Sequence, residues 1–271
     1  MRSVGIVIVS LLGAIVALLT VPVYFPAASG SYVNSQPVMR IGAGALSSLQ
    51  NPSYKSAYLS PTAIGDNDVY TAPAGRRAFV SGFLCGGGTA TVYGEIKVSG
   101  AYYRVTSNFS CTAATIQNTN FVGYVLEPGE SISANSSATG AYVRCAIAEY
   151  DAATPLYSPK ILALAAGDAT LYTVPAGKAA FPTNGSAGTP SSNNSINVWN
   201  QSGGTRTYNL YHVNSGGAVS DSFRISASGT TANLVAKSAA GYTAVAGDFF
   251  VVNSDAATAT QWAYITVIEL P

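Results

Sequence analysis

The sequence predicts an all-β protein: two tandem jelly-roll or β-sandwich domains preceded by an N-terminal transmembrane-type helix. Three observations predict it. A stretch containing Tyr70-Thr71-Ala72-Pro73-Ala74-Gly75-Arg76 recurs as Tyr172-Thr173-Val174-Pro175-Ala176-Gly177-Lys178. Apolar residues alternate with period two rather than at helical spacing. One long uncharged apolar run stands at the N-terminus.

Internal repetition sets the domain count. Gly65-Asp66 precedes the first copy of the motif and Gly167-Asp168 the second, 102 residues later (167 − 65). The copies close on similar segments, Tyr142 to Glu149 and Trp262 to Glu269, now 120 residues apart (269 − 149). The second copy therefore carries about eighteen extra residues, and Pro182–Asn194, with almost no apolar content, is the expected site of insertion. This organisation gives an anchor helix over 1–25, an extended arm over 26–61, a first module over 62–151 and a second over 156–271.

Each element has a local reason. Val4–Val21 holds no group stronger than a hydroxyl, and as a helix it rises about 27 Å, close to one hydrocarbon thickness. Pro22 and Pro26 end it, and Tyr24 and Phe25 stand where an aromatic interface anchor belongs. A secretory signal cleaved near Ala27-Ala28-Ser29 is the competing reading, and a helix buried in a protein assembly a third. The arm is rich in Ser, Gly, Pro and Asn. In the first module Val92, Gly94, Ile96 and Val98 alternate with Tyr93, Glu95 and Lys97, which assigns the latter set to a wet face. Val143, Cys145 and Ile147 alternate with Tyr142 and Arg144 in the same way. Gly86-Gly87-Gly88, Ser99-Gly100 and Pro128-Gly129 read as turns. In Pro-Ala-Gly, proline presets φ and glycine accepts a positive φ.

Charged residues make up only 9% of the chain and the formal net charge is +1, so no basic field is present for a nucleic-acid partner. Hydroxyl and amide side chains wet the surface instead, as suits an extracellular or virion coat. Cys85, Cys111 and Cys145 lack zinc spacing. They read as buried thiols, with a Cys85–Cys111 disulfide as the alternative in an oxidising compartment. His212, the only histidine, sits in an alternating run and reads as structural. Asp66 and Asp168 read as turn caps rather than a catalytic pair. No catalytic, cofactor-binding or metal-binding residue is assigned, and no cofactor is expected. The 17 tyrosines suit either strand propensity or an interface.

The doubled Y-T-[AV]-P-A-G-[RK]-x-A-F motif, with the later Pro128-Gly129-Glu130 and Ala246-Gly247-Asp248 turns, resembles modules of bacteriophage tail, appendage and other virion structural proteins. The resemblance spans about Ile64–Tyr150 and Leu164–Leu270. The apolar N-terminal segment departs from tail modules and fits the coat or spike of a membrane-containing virion. The resemblance implies a non-enzymatic virion structural protein, membrane-associated through residues 4–21. It would assemble as a homo-oligomer with other virion or envelope proteins, with a host-surface glycan as a candidate contact. The alternative is an exported bacterial or archaeal filament subunit or glycan-binding protein, at the cell surface or secreted; a secreted hydrolase ranks third.

Overall fold

Alternating side chains and glycine-bearing turns give strands throughout. The computed structural model describes residues 52–106, 108–112, 117–118, 123–182, 196–200, 204–228, 233–237, 244–257 and 260–271. The first repeat contributes β1 (Ser53–Leu59), β2 (Gly65–Thr71), β3 (Arg76–Gly86), β4 (Ala90–Val98), β5 (Ala101–Arg104), β6 (Phe109–Cys111), β7 (Gln117–Asn118), β8 (Tyr124–Leu126), β9 (Ser131–Ser136) and β10 (Tyr142–Asp151). The second contributes β11 (Leu156–Tyr157), β12 (Lys160–Ile161), β13 (Gly167–Thr173), β14 (Ala179–Pro182), β15 (Ile196–Asn200), β16 (Thr205–Val213), β17 (Val219–Ser228), β18 (Asn233–Lys237), β19 (Ala244–Val245), β20 (Phe249–Ser254), β21 (Gln261–Ile265) and β22 (Val267–Leu270). The expected anchor helix and the arm through residue 51 lie outside the described residues. Among those described, no helix is long and apolar enough to cross a membrane.

Two antiparallel sheets form the first repeat: β1-β10-β3, with β7 and β8 both on β3, and β2-β9-β4, with β5 and β6 both on β4. Val80, Phe83, Cys145 and Ile147 from one sheet meet Val92, Ile96, Ile132 and Ala134 from the other, which is β-sandwich packing. Residues 53–59 correct the expected arm. They form β1, paired along the whole of its length with β10. The sequence hid this edge strand because only small Ala57 packs on the core, while Tyr54, Ser56 and Tyr58 face away from it.

The second repeat reproduces the pairing. One of its sheets runs β13-β20-β16-β17, while the other is divided into β12-β21-β15-β18 and β11-β22-β14-β19. The division has a sequence cause. Ala180 pairs with Glu269 as Ala78 pairs with Glu149, a spacing of 102 (180 − 78). Ile196 pairs with Ile265 as Phe83 pairs with Cys145, a spacing of 113 (196 − 83). Eleven extra residues thus separate β14 from β15, where the first repeat has the continuous β3. Residues 183–195 themselves lie outside the described set.

The doubled motifs meet in space. Arg76 N donates to Pro73 O (3.0 Å) and Lys178 N to Pro175 O (3.1 Å), closing turns in which Gly75 (φ 74°) and Gly177 (φ 72°) take the left-handed position. Proline therefore opens the turn as its first residue, and glycine takes the positive φ. Just before it, Ala72 exchanges backbone bonds with the Gly129-Glu130 turn, and Val174 does the same with Gly247-Asp248. Behind each turn a tyrosine reaches the far sheet: Tyr70 Oη donates to Glu149 Oε1, and Tyr172 Oη to Glu269 Oε1 at 2.6 Å. Lys55 adds an ion pair to Glu149 at 2.6 Å. Burial alone would raise the Glu149 carboxyl, but hydrogen bonds from Lys55 and Tyr70 and the nearby Lys55 and Arg76 charges hold it below the usual range.

The repeats are not beads on a string. The described residues of the two repeats belong to one compact unit, and the first repeat's core cluster includes Trp199, Trp262 and Tyr264 of the second. These side chains stand on the outward face of β15 and β21, strands buried on both faces. They close the flank between β5 and β8 where the two sheets of the first repeat end. Trp262 meets Tyr103 edge-on at 5.9 Å and stacks on Tyr264 at 5.2 Å; Tyr264 meets Tyr124 at 5.1 Å. Trp262 Nε1 donates to Arg104 O (3.1 Å), Thr266 Oγ1 to Gly123 O (3.1 Å) and Val125 N to Ser158 Oγ (2.9 Å). Lys160 pairs with buried Glu130 at 2.6 Å.

Both tryptophans of the chain sit at this joint, so indole emission reports on it alone. Replacing Trp262 by Ala is expected to cost about 3–5 kcal/mol. In that variant, guanidinium titration should shift Trp199 emission to the red before far-UV ellipticity is lost. Coincident transitions at the wild-type midpoint would contradict a joint that holds the repeats together.

Candidate interaction face

The sequence-selected residues fall in four places. Asp66 and Asp168 do not cap turns. Asp66 Oδ1 accepts from Asn135 Nδ2 on β9, and Asp168 Oδ1 from Asn253 Nδ2 on β20 at 2.6 Å. Both are cross-strand clamps, because their alternation points the carboxylates along the sheet face rather than back at the turn. His212 fastens a sheet edge: Nδ1 lies 2.6 Å from Ser220 Oγ, Nε2 lies 3.3 Å from Asp248 Oδ2, and the ring stacks on Phe250 at 5.0 Å. Asp248 is already committed to its own turn, accepting from Ser215 N and Val245 N. Ser220 Oγ also donates to His212 O at 3.1 Å. The three side chains tie β16, β17 and the 245–248 turn together.

Cys85 and Cys111 form a disulfide with Cα atoms 5.6 Å apart, within the usual span. Cys145 stays a buried thiol that burial pushes well up in pKa. Gly86 and Gly87 make room for an aromatic: a Cβ on Gly86 would lie 2.7 Å from Tyr142 Oη, and one on Gly87 2.6 Å from Tyr142 Cδ1.

Glu95 departs from the wet face expected of it. It is only 7% exposed, on the outer wall of β2-β9-β4-β5, where the Arg104 guanidinium covers the Tyr93 ring at 3.9 Å. Burial first, then its hydrogen bond with Asp66 and that group's charge, push Glu95 up to about 8. Two carboxyls that share a hydrogen bond need one proton between them. This pair was unreadable from alternation, which gives a side chain's face but not what covers it.

Among the described residues, the most exposed aromatics lie on the opposite wall. On the outward face of β1-β10-β3, Tyr54 is 80% and Tyr58 61% exposed. Tyr58 stacks on Tyr142 at 5.6 Å and 29°, and Arg144 Nε donates to Ser56 Oγ at 2.6 Å. A cavity of about 330 Å³ opens beside them, lined among others by Tyr54, Phe79, Ser81, Ala146 and Tyr150. Tyrosine offers apolar area with a polar tip, the character of a contact surface. This exposed tyrosine face beside a cavity is the candidate site.

No protein-family model and no curated protein matches this chain. Among solved structures it is similar to the PBSX exported protein XepA, at 7% identity over 81% of this chain and 84% of that one, with a TM-score of 0.21. It is also similar to the N-terminal CBM22-1-CBM22-2 tandem domain of Xyn10C from Paenibacillus barcinonensis, at 9% identity over 81% and 92%, with a TM-score of 0.19. Likeness this distant carries no argument about this chain.

The Glu95 environment has a pH signature. A carboxyl raised from 4.5 to about 8 on folding stabilises the fold fully below the unfolded value, and that stabilisation is lost as pH rises through 8. Wild-type thermal stability should therefore decline between about pH 4.5 and pH 8. Glu95→Gln should remove that decline and be about 1–3 kcal/mol more stable than wild type at pH 9. Parallel pH profiles for the two proteins would contradict the shared-proton pair.

Proposed function

We propose that the protein is a non-enzymatic structural subunit of a virion, a coat, spike or appendage component that assembles with copies of itself and with other envelope proteins. Residues 4–21 hold it to a membrane. The observation that carries the reading is the joint: two copies of one sandwich are fastened into a single body by Trp199, Trp262 and Tyr264, while a tyrosine face is left bare. A body made rigid by its own duplicated surface is suited to bearing load and presenting contacts.

Two further features support it. The main strands of the first repeat run β1-β10-β3-β8 against β2-β9-β4-β5, with β8 joined to β3 as a branch. Numbered as eight successive strands, this is 1-8-3-6 against 2-7-4-5, the order of a jelly roll, an architecture of viral capsid and lectin domains. The Cys85–Cys111 disulfide belongs in an oxidising compartment, which agrees with a virion surface. The low charge of the chain gives nucleic acid no role.

An exported cell-surface glycan-binding protein is the second reading, favoured by the Tyr58–Tyr142 stack beside the 330 Å³ cavity. The experiment that separates them is fractionation from the native source. A virion subunit is expected to co-sediment with particles, and its mature N-terminal peptide should precede Val21. A cell-surface protein free of particles, with a mature terminus near Ser29 and binding on a glycan array, would overturn the virion reading.

A further inference from the structure

The outward wall of β1-β10-β3 carries two different tyrosine arrangements. At one end Tyr58 and Tyr142 stack on each other at 5.6 Å, so each ring already turns a face to the other. At the other end Tyr54, 80% exposed, stacks on no ring among the described residues. Between the two ends the side chains are small. The cross-strand row Tyr54–Ala148–Phe79 is followed by Ser56–Ala146–Gly82. The cavity of about 330 Å³ lies over this floor, with Tyr54, Phe79 and Tyr150 as its aromatic rim.

Two features build the cavity. Ala146 pairs with Gly82 and Ile147 with Val80, so Ser81 is a bulge with no partner across the ladder. Bulges re-aim a side chain, and Ser81 lines the cavity. The inter-repeat joint is the second feature. Phe79 and Ala148 pack with Leu156 of the second repeat, and Tyr150 packs against the same cluster, so the joint holds the rim at that end. Burial, followed by the nearness of Tyr54, raises the Tyr150 phenol. The lining carries no net charge. Lys55 is its one charged residue, and its ammonium lies 2.6 Å from the Glu149 carboxylate. Hydroxyls remain for a ligand: Tyr54 Oη, Tyr150 Oη and Ser81 Oγ are bonded to no described group. Each of them can both donate and accept.

We infer that this cavity binds one uncharged pyranose ring of a glycan, with Tyr54 against the face of the sugar and the Ser81 and Tyr150 hydroxyls at its edge. A pyranose has the matching two-sided chemistry: an apolar face of C–H bonds and a rim of hydroxyls that donate and accept. Aromatic faces are negative and attract such C–H bonds. The volume stands at the small end of ligand pockets, which run about 300–1,000 Å³, so one ring is held and its neighbours in a longer chain lie outside. An acidic sugar meets no free cation in the lining, since Lys55 is paired with Glu149. A prolyl peptide brings carbonyl acceptors but no donors to hydroxyls that can do both. One ring on one tyrosine is a weak contact, and several copies on one surface would multiply it. The inference rests on the glycan reading of this face, which it deepens, and does not require the virion reading.

The test titrates full-length protein, in a sugar-free detergent, with the methyl pyranosides of glucose, galactose, mannose, N-acetylglucosamine and N-acetylneuraminic acid, read by saturation-transfer NMR. At least one neutral pyranoside is expected to bind, with saturation strongest on the C–H protons of one ring face. Tyr54→Ala should weaken that binding at least about tenfold and leave the melting temperature unchanged, since the side chain is exposed. Ser81→Ala and Tyr150→Phe should each weaken it about two- to tenfold, and Tyr58→Ala should not change it. Binding to no neutral pyranoside, binding confined to N-acetylneuraminic acid, or equal losses in Tyr54→Ala and Tyr58→Ala would overturn the inference. An oligoproline peptide bound in place of the sugars would overturn it too. Glycan-array binding that survives Tyr54→Ala would keep a glycan role for the chain and remove this site. Protein that co-sediments with particles but binds no pyranoside keeps the virion reading and loses the site. Protein that binds through Tyr54 and never co-sediments with particles keeps the site and loses the virion reading.

Discussion

The structure depends on one contact: the aromatic edge formed by Trp199, Trp262 and Tyr264 pressed into the flank of the first repeat's sandwich. An eight-stranded sandwich has two flanks where its sheets end, and each exposes apolar interior unless something covers it. At one flank of the first repeat, β1 and β2 run together. The other is closed by the second repeat. Two indoles and a phenol bury several hundred Å² between them, and Trp262 Nε1 finds its partner in Arg104 O, so the closure leaves no buried donor on that ring without a bond. Separating the repeats would expose the core of one and the aromatic face of the other together. The unit of folding is therefore the pair of repeats, although the sequence presents them as equals.

Much of each repeat was readable because its signals are local. Period-two alternation placed Val143, Cys145 and Ile147 inside, and all three are buried. The Pro-Ala-Gly turns and the later Pro-Gly-Glu and Ala-Gly-Asp turns were visible in both copies. What the sequence could not say is that these turns exchange backbone bonds with each other. Nor could it say that Tyr70 and Tyr172, inside the first motif, reach Glu149 and Glu269 at the ends of the copies. Each of those pairs joins opposite sheets, and a pairing across about 10 Å of core leaves no trace in local spacing. Its signature is co-occurrence, and a duplicated chain displays co-occurrence twice.

The misreadings share a cause. β1 looked like linker because an edge strand needs only one buried face, and Ala57 is a weak advertisement for one. Glu95 looked wet because alternation reports which side of a sheet a residue occupies and is silent on what lies over it; there Arg104 and Tyr93 form the cover. The outward tryptophans of β15 and β21 are the largest fully buried side chains among the described residues. In each case the deciding contact came from a segment remote in sequence. Composition was read one strand at a time, and burial is a property of the neighbours.

Duplication followed by divergence accounts for how the copies differ. The first repeat carries the disulfide, the Lys55–Glu149 ion pair and the Asp66–Glu95 pair, all braces within or beside its own sheets. The second divides the strand equivalent to β3 with extra residues and fastens its edge through His212, Ser220 and Asp248. Its outward face exchanged the flat Tyr142-over-Gly86 arrangement for two indoles side by side. A surface inherited by both copies thus became a permanent joint in one by gaining aromatic volume. In the other it stayed bare by keeping glycines beneath a tyrosine. Volume on that face separates the two outcomes: the copy with Trp199 on Trp262 is committed to its neighbour, and the copy with Gly86 under Tyr142 keeps an exposed face.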